Sequence, residues 1–207
     1  MIETYTAIKE GVFTLEIKRS EFLAYSFPIE NEADATEKLA AIRKKHYDAR
    51  HVCYAFVSDE KGNVARFSDD GEPSGTAGKP ILDVIKKNGL KKSLIAVVRY
   101  FGGILLGAGG LTRAYSDSAA GVVKKAGTVG YVRKTLLRLN ADYSTYKKIS
   151  AAIKNVGEIV SVEYGSDVSA TIACGDDKKA VAMLTEMTLG AAKIENEGEK
   201  YFALEEK

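Results

Sequence analysis

Twice in this chain a strand-like apolar run gives way to a glycine-bearing loop and then to a helical pattern, and this repeated punctuation constrains the fold most. The first loop, residues 68–79, reads Ser-Asp-Asp-Gly-Glu-Pro-Ser-Gly-Thr-Ala-Gly-Lys, and Pro80 is placed to open a helix over 81–88. A proline there sacrifices nothing, because its missing N–H would be unbonded in the first turn anyway. The second loop, residues 101–110, leaves a buried-type strand at 93–100 and enters a helix expected over 111–126. Upstream, the pattern predicts strands at 2–8, 12–18 and 21–29, a helix from Asn31 to about His46, and a hairpin of 51–57 with 64–67.

Past Gly127 and Gly130 the texture changes. A strand is expected at 135–143, then a helix with Tyr146, Ile149, Ile153 and Val156 on one face. Strands at 158–164 and 168–174 meet at Gly165-Ser166-Asp167, Asp176 caps a helix over 178–188, and a last strand covers 192–204. That order, β-α-β-β-α-β, is the split arrangement of ferredoxin-like domains. The chain therefore reads as α+β, in two domains, 1–132 and 133–207. Charge divides in the same place: residues 1–135 hold 21 Lys and Arg against 16 Asp and Glu, and the rest hold 9 against 12. The basic excess of the first part hints at an anionic partner and is well short of a nucleic-acid-binding arm.

Two cysteines, Cys53 and Cys174, lie in different expected domains. They exclude a disulfide framework and suit a reducing cytoplasm. No apolar run approaches the roughly 20 residues of a membrane span, and the first thirty residues show no signal-peptide pattern. The expected location is the cytoplasm, with no membrane partner.

Each loop offers a chemistry. Glycines let a backbone curl into a concave set of N–H groups, and a helix amino end adds partial positive charge. Lys79 would place a full charge at the mouth of the first loop, and Asp69, Asp70, Glu72, Ser74 and Thr76 would shape it. A phosphate or carboxylate would suit such a site; a well-capped surface loop is the other reading. It is not a Walker A loop, since position 73 is proline and position 80 is neither Ser nor Thr. The second loop has Arg113 in the first turns of its helix and lacks dinucleotide-binding spacing. Arg99, Tyr100 and Phe101 offer a cation and aromatic faces for stacking, or else fill core. His46, Asp48, His51 and Cys53 form a polar cluster, but a zinc site needs three or four convergent ligands and the strand supplies at most two. No metal, no cofactor and no catalytic residue is expected; a Ser74-His51-Asp70 triad has no nucleophile elbow behind it.

Three strings carry a resemblance: residues 66–80, Arg-Phe-Ser-Asp-Asp-Gly-Glu-Pro-Ser-Gly-Thr-Ala-Gly-Lys-Pro; residues 99–116, from Arg-Tyr-Phe-Gly-Gly to Arg-Ala-Tyr-Ser; and the His-x-Asp-Ala-x-His-x-Cys-Tyr-Ala of 46–55. In this order and spacing they closely resemble the YigZ/Impact family, over most of residues 1–130. Val52 departs from the polar residue often found between that His and Cys. The resemblance implies a first domain like the second domain of a small-subunit ribosomal protein, a fold shared with elongation factor G. It implies a second domain like the last domain of that factor, and a role near translation. Eukaryotic relatives regulate initiation-factor phosphorylation by competing for a ribosome-associated activator protein. Bacterial relatives have been linked to nucleic acid through fold similarity.

The leading expectation is a non-enzymatic protein that binds RNA or the ribosome. Lys79, Arg99 and Arg113 would meet phosphates and Tyr100 would stack. A protein–protein regulator of translation using the same face is the alternative, and a small-molecule hydrolase or phosphate-ester enzyme is a third. Asp69 and Asp70 stand in tension with the first of these, because bare carboxylates repel phosphate.

Overall fold

The computed structural model describes residues 3–204. It is a mixed α+β chain with two sheets and, among the described residues, five α-helices. It divides into two compact units: Tyr5–Gly130, and a second that runs from Tyr131 onward and takes in residues 3 and 4. Both divisions fall inside strands, β1 (Thr4–Ile8) and β7 (Thr128–Ala141).

In the first unit, β2 (Gly11–Ile17), β3 (Ser20–Pro28), β4 (His51–Val57), β5 (Ala65–Ser68) and β6 (Ser93–Tyr100) form one sheet in the order β2-β3-β6-β4-β5. The pairings are antiparallel, and the register sets His51 opposite Arg99 and Glu21 opposite Tyr100. Alternation along a strand sends neighbouring side chains to opposite faces. Cys53, Ala55, Ile95 and Val97 therefore face α2 (Gly78–Lys87) and α3 (Gly107–Ala126). Val52, Phe56, Leu94, Ala96 and Val98 face α1 (Glu32–Lys45). Both faces are covered, which is why β6 is apolar at nearly every position.

In the second unit the elements run β7, α4 (Tyr143–Ile149), β8 (Glu158–Tyr164), β9 (Val168–Cys174), α5 (Asp177–Met187) and β10 (Lys193–Ala203). Its strands lie in the order β10-β7-β9-β8, all antiparallel, with β1 also bordering β7 in the same sheet. Leu137, Leu139, Ile149, Ile153, Ile172 and Leu184 make its core.

Several bounds differ from those expected. Helix α2 starts at Gly78, so Pro80 is its third residue, still within the first turn where no partner is lost. Helix α3 starts at Gly107 rather than Leu111, because Gly107 at φ +71° turns the chain into it and Leu111, Ala114 and Tyr115 anchor that turn in the core. Arg113 is thus the seventh helical residue. Strand β7 reaches back to Thr128, and Tyr143 belongs to α4, which Asp142 caps through the Thr145 N–H. The single apolar face from Tyr146 to Val156 is shared between α4 and a 3₁₀ turn at Ile153–Asn155.

A candidate nucleic-acid interface at one end of the first sheet

Asp69 turns its carboxylate into its own loop. It accepts from the N–H groups of Gly75 (2.8 Å), Ala77 (2.9 Å) and Gly78 (2.8 Å), two of them at the start of α2. Burial alone would raise the Asp69 pKa, but these donors outweigh it and hold the carboxyl below its ordinary value. The concave N–H set that the glycines create is thus filled by the chain's own carboxylate. Asp70, at φ +42°, accepts from Val52 N–H (2.7 Å) and pairs with Arg43 (2.8 Å). Its carbonyl takes the Nδ1–H of His51 (2.8 Å), which leaves His51 Nε2 as the open ring nitrogen. Thr76 is buried and donates to the Pro73 carbonyl, Ser74 is exposed, and Lys79 pairs with Asp83 one helical turn on.

Glu72 is buried. Its Oε1 accepts from Arg99 Nη1 (2.7 Å) and from the Tyr115 hydroxyl (2.8 Å). Arg99 is only 7% exposed, its guanidinium carbon lies 5.5 Å from the ring centroids of both Phe22 and Phe101, and its Nε has no hydrogen-bond partner. The charge of Arg99 is therefore matched inside the fold by Glu72. Cys53 lies beneath, its thiol donating to the Asp69 carbonyl (3.0 Å) and lying 3.3 Å from the Tyr115 hydroxyl. Burial pushes its pKa up to about 12, which makes it an inert packing residue.

Tyr100 points to the opposite face from Arg99, toward α1. Its hydroxyl donates to Asp48 Oδ1 (3.0 Å) and so accepts from His46 Nδ1–H (2.9 Å); His46 Nε2 then accepts from the Tyr25 hydroxyl (2.7 Å). Burial, with Lys45 nearby, lowers the His46 pKa and favours this neutral form. His46, Asp48 and Tyr100 are brought together here, and His51 with Asp70 nearby; Lys79 and Arg113 belong to neither group. Among the described residues no group of three or more His, Cys, Asp or Glu side chains converges as metal ligands, and no helix is long and apolar enough to cross a membrane.

The antiparallel pairing of β4 and β6 brings the start of one beside the end of the other, and a cleft of about 420 Å³ opens there. Asp48, Arg50, His51, Arg99, Tyr100 and Phe101 line it. Arg50 is exposed and has no ion pair among the described residues, and Phe101 is 54% exposed. The second glycine loop runs on from Phe101 with Ile104 and Leu105 exposed, and α3 begins without a side-chain cap. Arg113 is exposed on α3. Arg50 is the cation that sequence reasoning passed over. It sits inside the 46–55 string, and its place in one cleft with Phe101 follows only from the pairing of β4 with β6.

Comparison with known proteins places the chain in a family. The Impact N-terminal domain matches residues 18–123. The chain is 36% identical over 204 residues to the IMPACT family member YvyE of Bacillus subtilis (strain 168), covering 96% of this chain and 93% of that one. It is 33% identical to the IMPACT family member YigZ of Escherichia coli (strain K12), covering 86% and 90%. This chain belongs to the Impact family. A solved structure described as a crystal structure of a hypothetical protein matches over 100% of both chains, with a TM-score of 0.66 and 29% identity.

Proposed function

We propose that this Impact-family chain is a non-enzymatic binding protein that acts near translation and engages RNA, free or in the ribosome, through the end of the first sheet. The observation that carries the reading is the β4–β6 cleft, which unpaired Arg50 and half-exposed Phe101 both line. A cation for phosphate next to an aromatic face for a base is the basic unit of single-strand recognition. The inward turn of Asp69 and Asp70 keeps both carboxylates from repelling phosphate, since they are engaged by the loop and by Arg43. Arg113 adds a second exposed cation on α3. The division into domains 1–132 and 133–207 is part of this proposal, and the compact unit ending at Gly130 supports it. The strand order β10-β7-β9-β8 supports a ferredoxin-like second domain.

Ribosome co-sedimentation from a lysate, with and without nuclease, tests the reading; the protein should sediment with ribosomes and lose that position after nuclease. With purified RNA, Arg50→Ala and Arg113→Ala should each lower the slope of log affinity against log salt by about 0.7 to 0.9. Lys178→Ala, on the acidic unit, should change neither affinity nor slope. Wild-type affinity and slope in both arginine variants would end the RNA reading for this face.

Ile104 and Leu105, 41% and 82% exposed, favour the second reading, a protein partner in translational regulation, because phosphates gain nothing from them. Sedimentation that survives nuclease and is lost in Leu105→Asp would favour it.

A further inference from the structure

The cleft contains a specific inventory of free groups. Arg99 lines it, but Glu72 already neutralises Arg99 at 2.7 Å, so Arg50 is the one lining cation with no ion pair among the described residues. Two acceptors are open. Asp48 uses Oδ1 for the Tyr100 hydroxyl, and its Oδ2 has no hydrogen bond among the described residues. His51 donates Nδ1–H to the Asp70 carbonyl, so the neutral ring presents Nε2 as an acceptor. Phe101 adds an aromatic face, with more than half of the residue open. The volume of about 420 Å³ lies at the small end of ligand sites, which run from roughly 300 to 1,000 Å³.

One cation, two hydroxyl acceptors and one ring match one phosphate, one ribose and one base. A run of phosphates would require more free cations than the cleft holds, and a sugar without its 2′-hydroxyl would leave an acceptor unmatched. We propose that this cleft binds a single ribonucleotide unit, as a free nucleotide or as one residue of an RNA, and that Asp48 and His51 select ribose over deoxyribose. Arg50 holds the phosphate, bidentate geometry being available to a guanidinium. Phe101 carries the base, and Asp48 Oδ2 with His51 Nε2 receives the sugar hydroxyls. The 2′-hydroxyl is the group by which a protein tells RNA from DNA at a given site. Asp48 is thereby a specificity residue whose negative charge is tolerated because it meets donors and not phosphate.

The inference rests on the RNA reading of the same face, and the test separates the two. The full chain is titrated with AMP, dAMP and matched oligoadenylate ribo- and deoxyribo-oligomers, the mononucleotides by calorimetry and the oligomers by fluorescence anisotropy. The ribo form should bind roughly tenfold tighter than the deoxy form, the effect of one hydrogen bond to a charged acceptor. Asp48→Asn should bring that ratio close to one, because it replaces a free acceptor by a donor. Its lost charge acts on both ligands alike and cancels in the ratio. Phe101→Leu should weaken both forms by roughly tenfold and leave the ratio intact. AMP binding at one site per chain identifies a free-nucleotide site; oligomer binding without AMP binding identifies an RNA residue as the occupant. Equal ribo and deoxy affinities in the wild type, or a ratio that persists in Asp48→Asn, overturn the inference while leaving nucleic-acid binding in place. Absence of binding to all four ligands overturns both.

Discussion

The two glycine loops share a sequence signature and reach opposite physical states. In the first, Asp69 occupies three backbone donors, Thr76 closes onto Pro73, and Glu72 is buried against Arg99 and Tyr115. In the second, no side chain caps α3, and Phe101, Ile104 and Leu105 stay exposed. A strand, a set of glycines and a helix start therefore do not define an anion site. What decides is whether the loop carries a carboxylate able to reach its own N–H groups. The first loop has such a carboxylate at its entrance, and residues 101–110 contain none. The closed loop spends its polar groups on itself, and the open one leaves apolar side chains exposed.

Glu72 sets the largest expected effect. It joins the closed loop to the strand leading into the open loop, through Arg99, and to α3, through Tyr115. Glu72→Ala should destabilise the chain by about 3 to 5 kcal/mol, the usual result of leaving a buried charge without its partner. Glu72→Leu combined with Arg99→Met should recover a large part of that loss, because the unmatched charge goes too. Urea denaturation measures both variants; a mild single-variant effect would mean the two loops are not coupled through this pair.

Asp69→Ala comes next. It leaves three donors without an acceptor and should cost about 2 to 3 kcal/mol, in line with a charged acceptor that also caps a helix. The Asp69 pKa is lowered in the folded chain. Its contribution is therefore complete above the unfolded value of about 3.9 and is lost as pH falls through the folded value. The wild-type advantage over Asp69→Ala should shrink on acidification below about pH 4. An advantage that stayed constant to low pH would show that the carboxylate is not what closes the loop.

The central strands of the first sheet were legible because they are covered on both faces. β4 and β6 lie at 51–57 and 93–100 as expected, each built around an apolar run. The bounds that moved furthest were at or next to glycines, at the starts of α2, α3 and β7, where propensity is weak and packing decides. The role of each loop carboxylate was not legible. Asp69 bonds residues six to nine positions away, a local choice that several nearby acids could have made. Glu72 finds Arg99 and Tyr115 27 and 43 positions downstream, which only the assembled sheet and helix define. The same holds for Arg99 and Tyr100, adjacent in sequence and on opposite faces in the fold. Arg50, whose neighbours come from β6, had no local signal at all.

The smallest effect separates the starts of the two helices by sign. A methyl group added at Gly78, the first residue of α2, would meet the backbone of Ser68 at 2.7 Å. Backbone cannot swing aside as a side-chain tip does, so Gly78→Ala should cost about 1 to 3 kcal/mol through overpacking. At Gly109, near the start of α3, the added methyl meets nothing within 4 Å, and the residue does not adopt a positive φ. Alanine there only reduces the freedom of the unfolded chain and favours the helix, so Gly109→Ala should stabilise by about 0.5 to 1 kcal/mol. Paired denaturation curves at matched protein concentration read the two signs directly. If Gly109→Ala destabilised the chain as Gly78→Ala does, the start of α3 would have to be packed against structure as tightly as the start of α2. The contrast between a closed helix start and an open one would then fail.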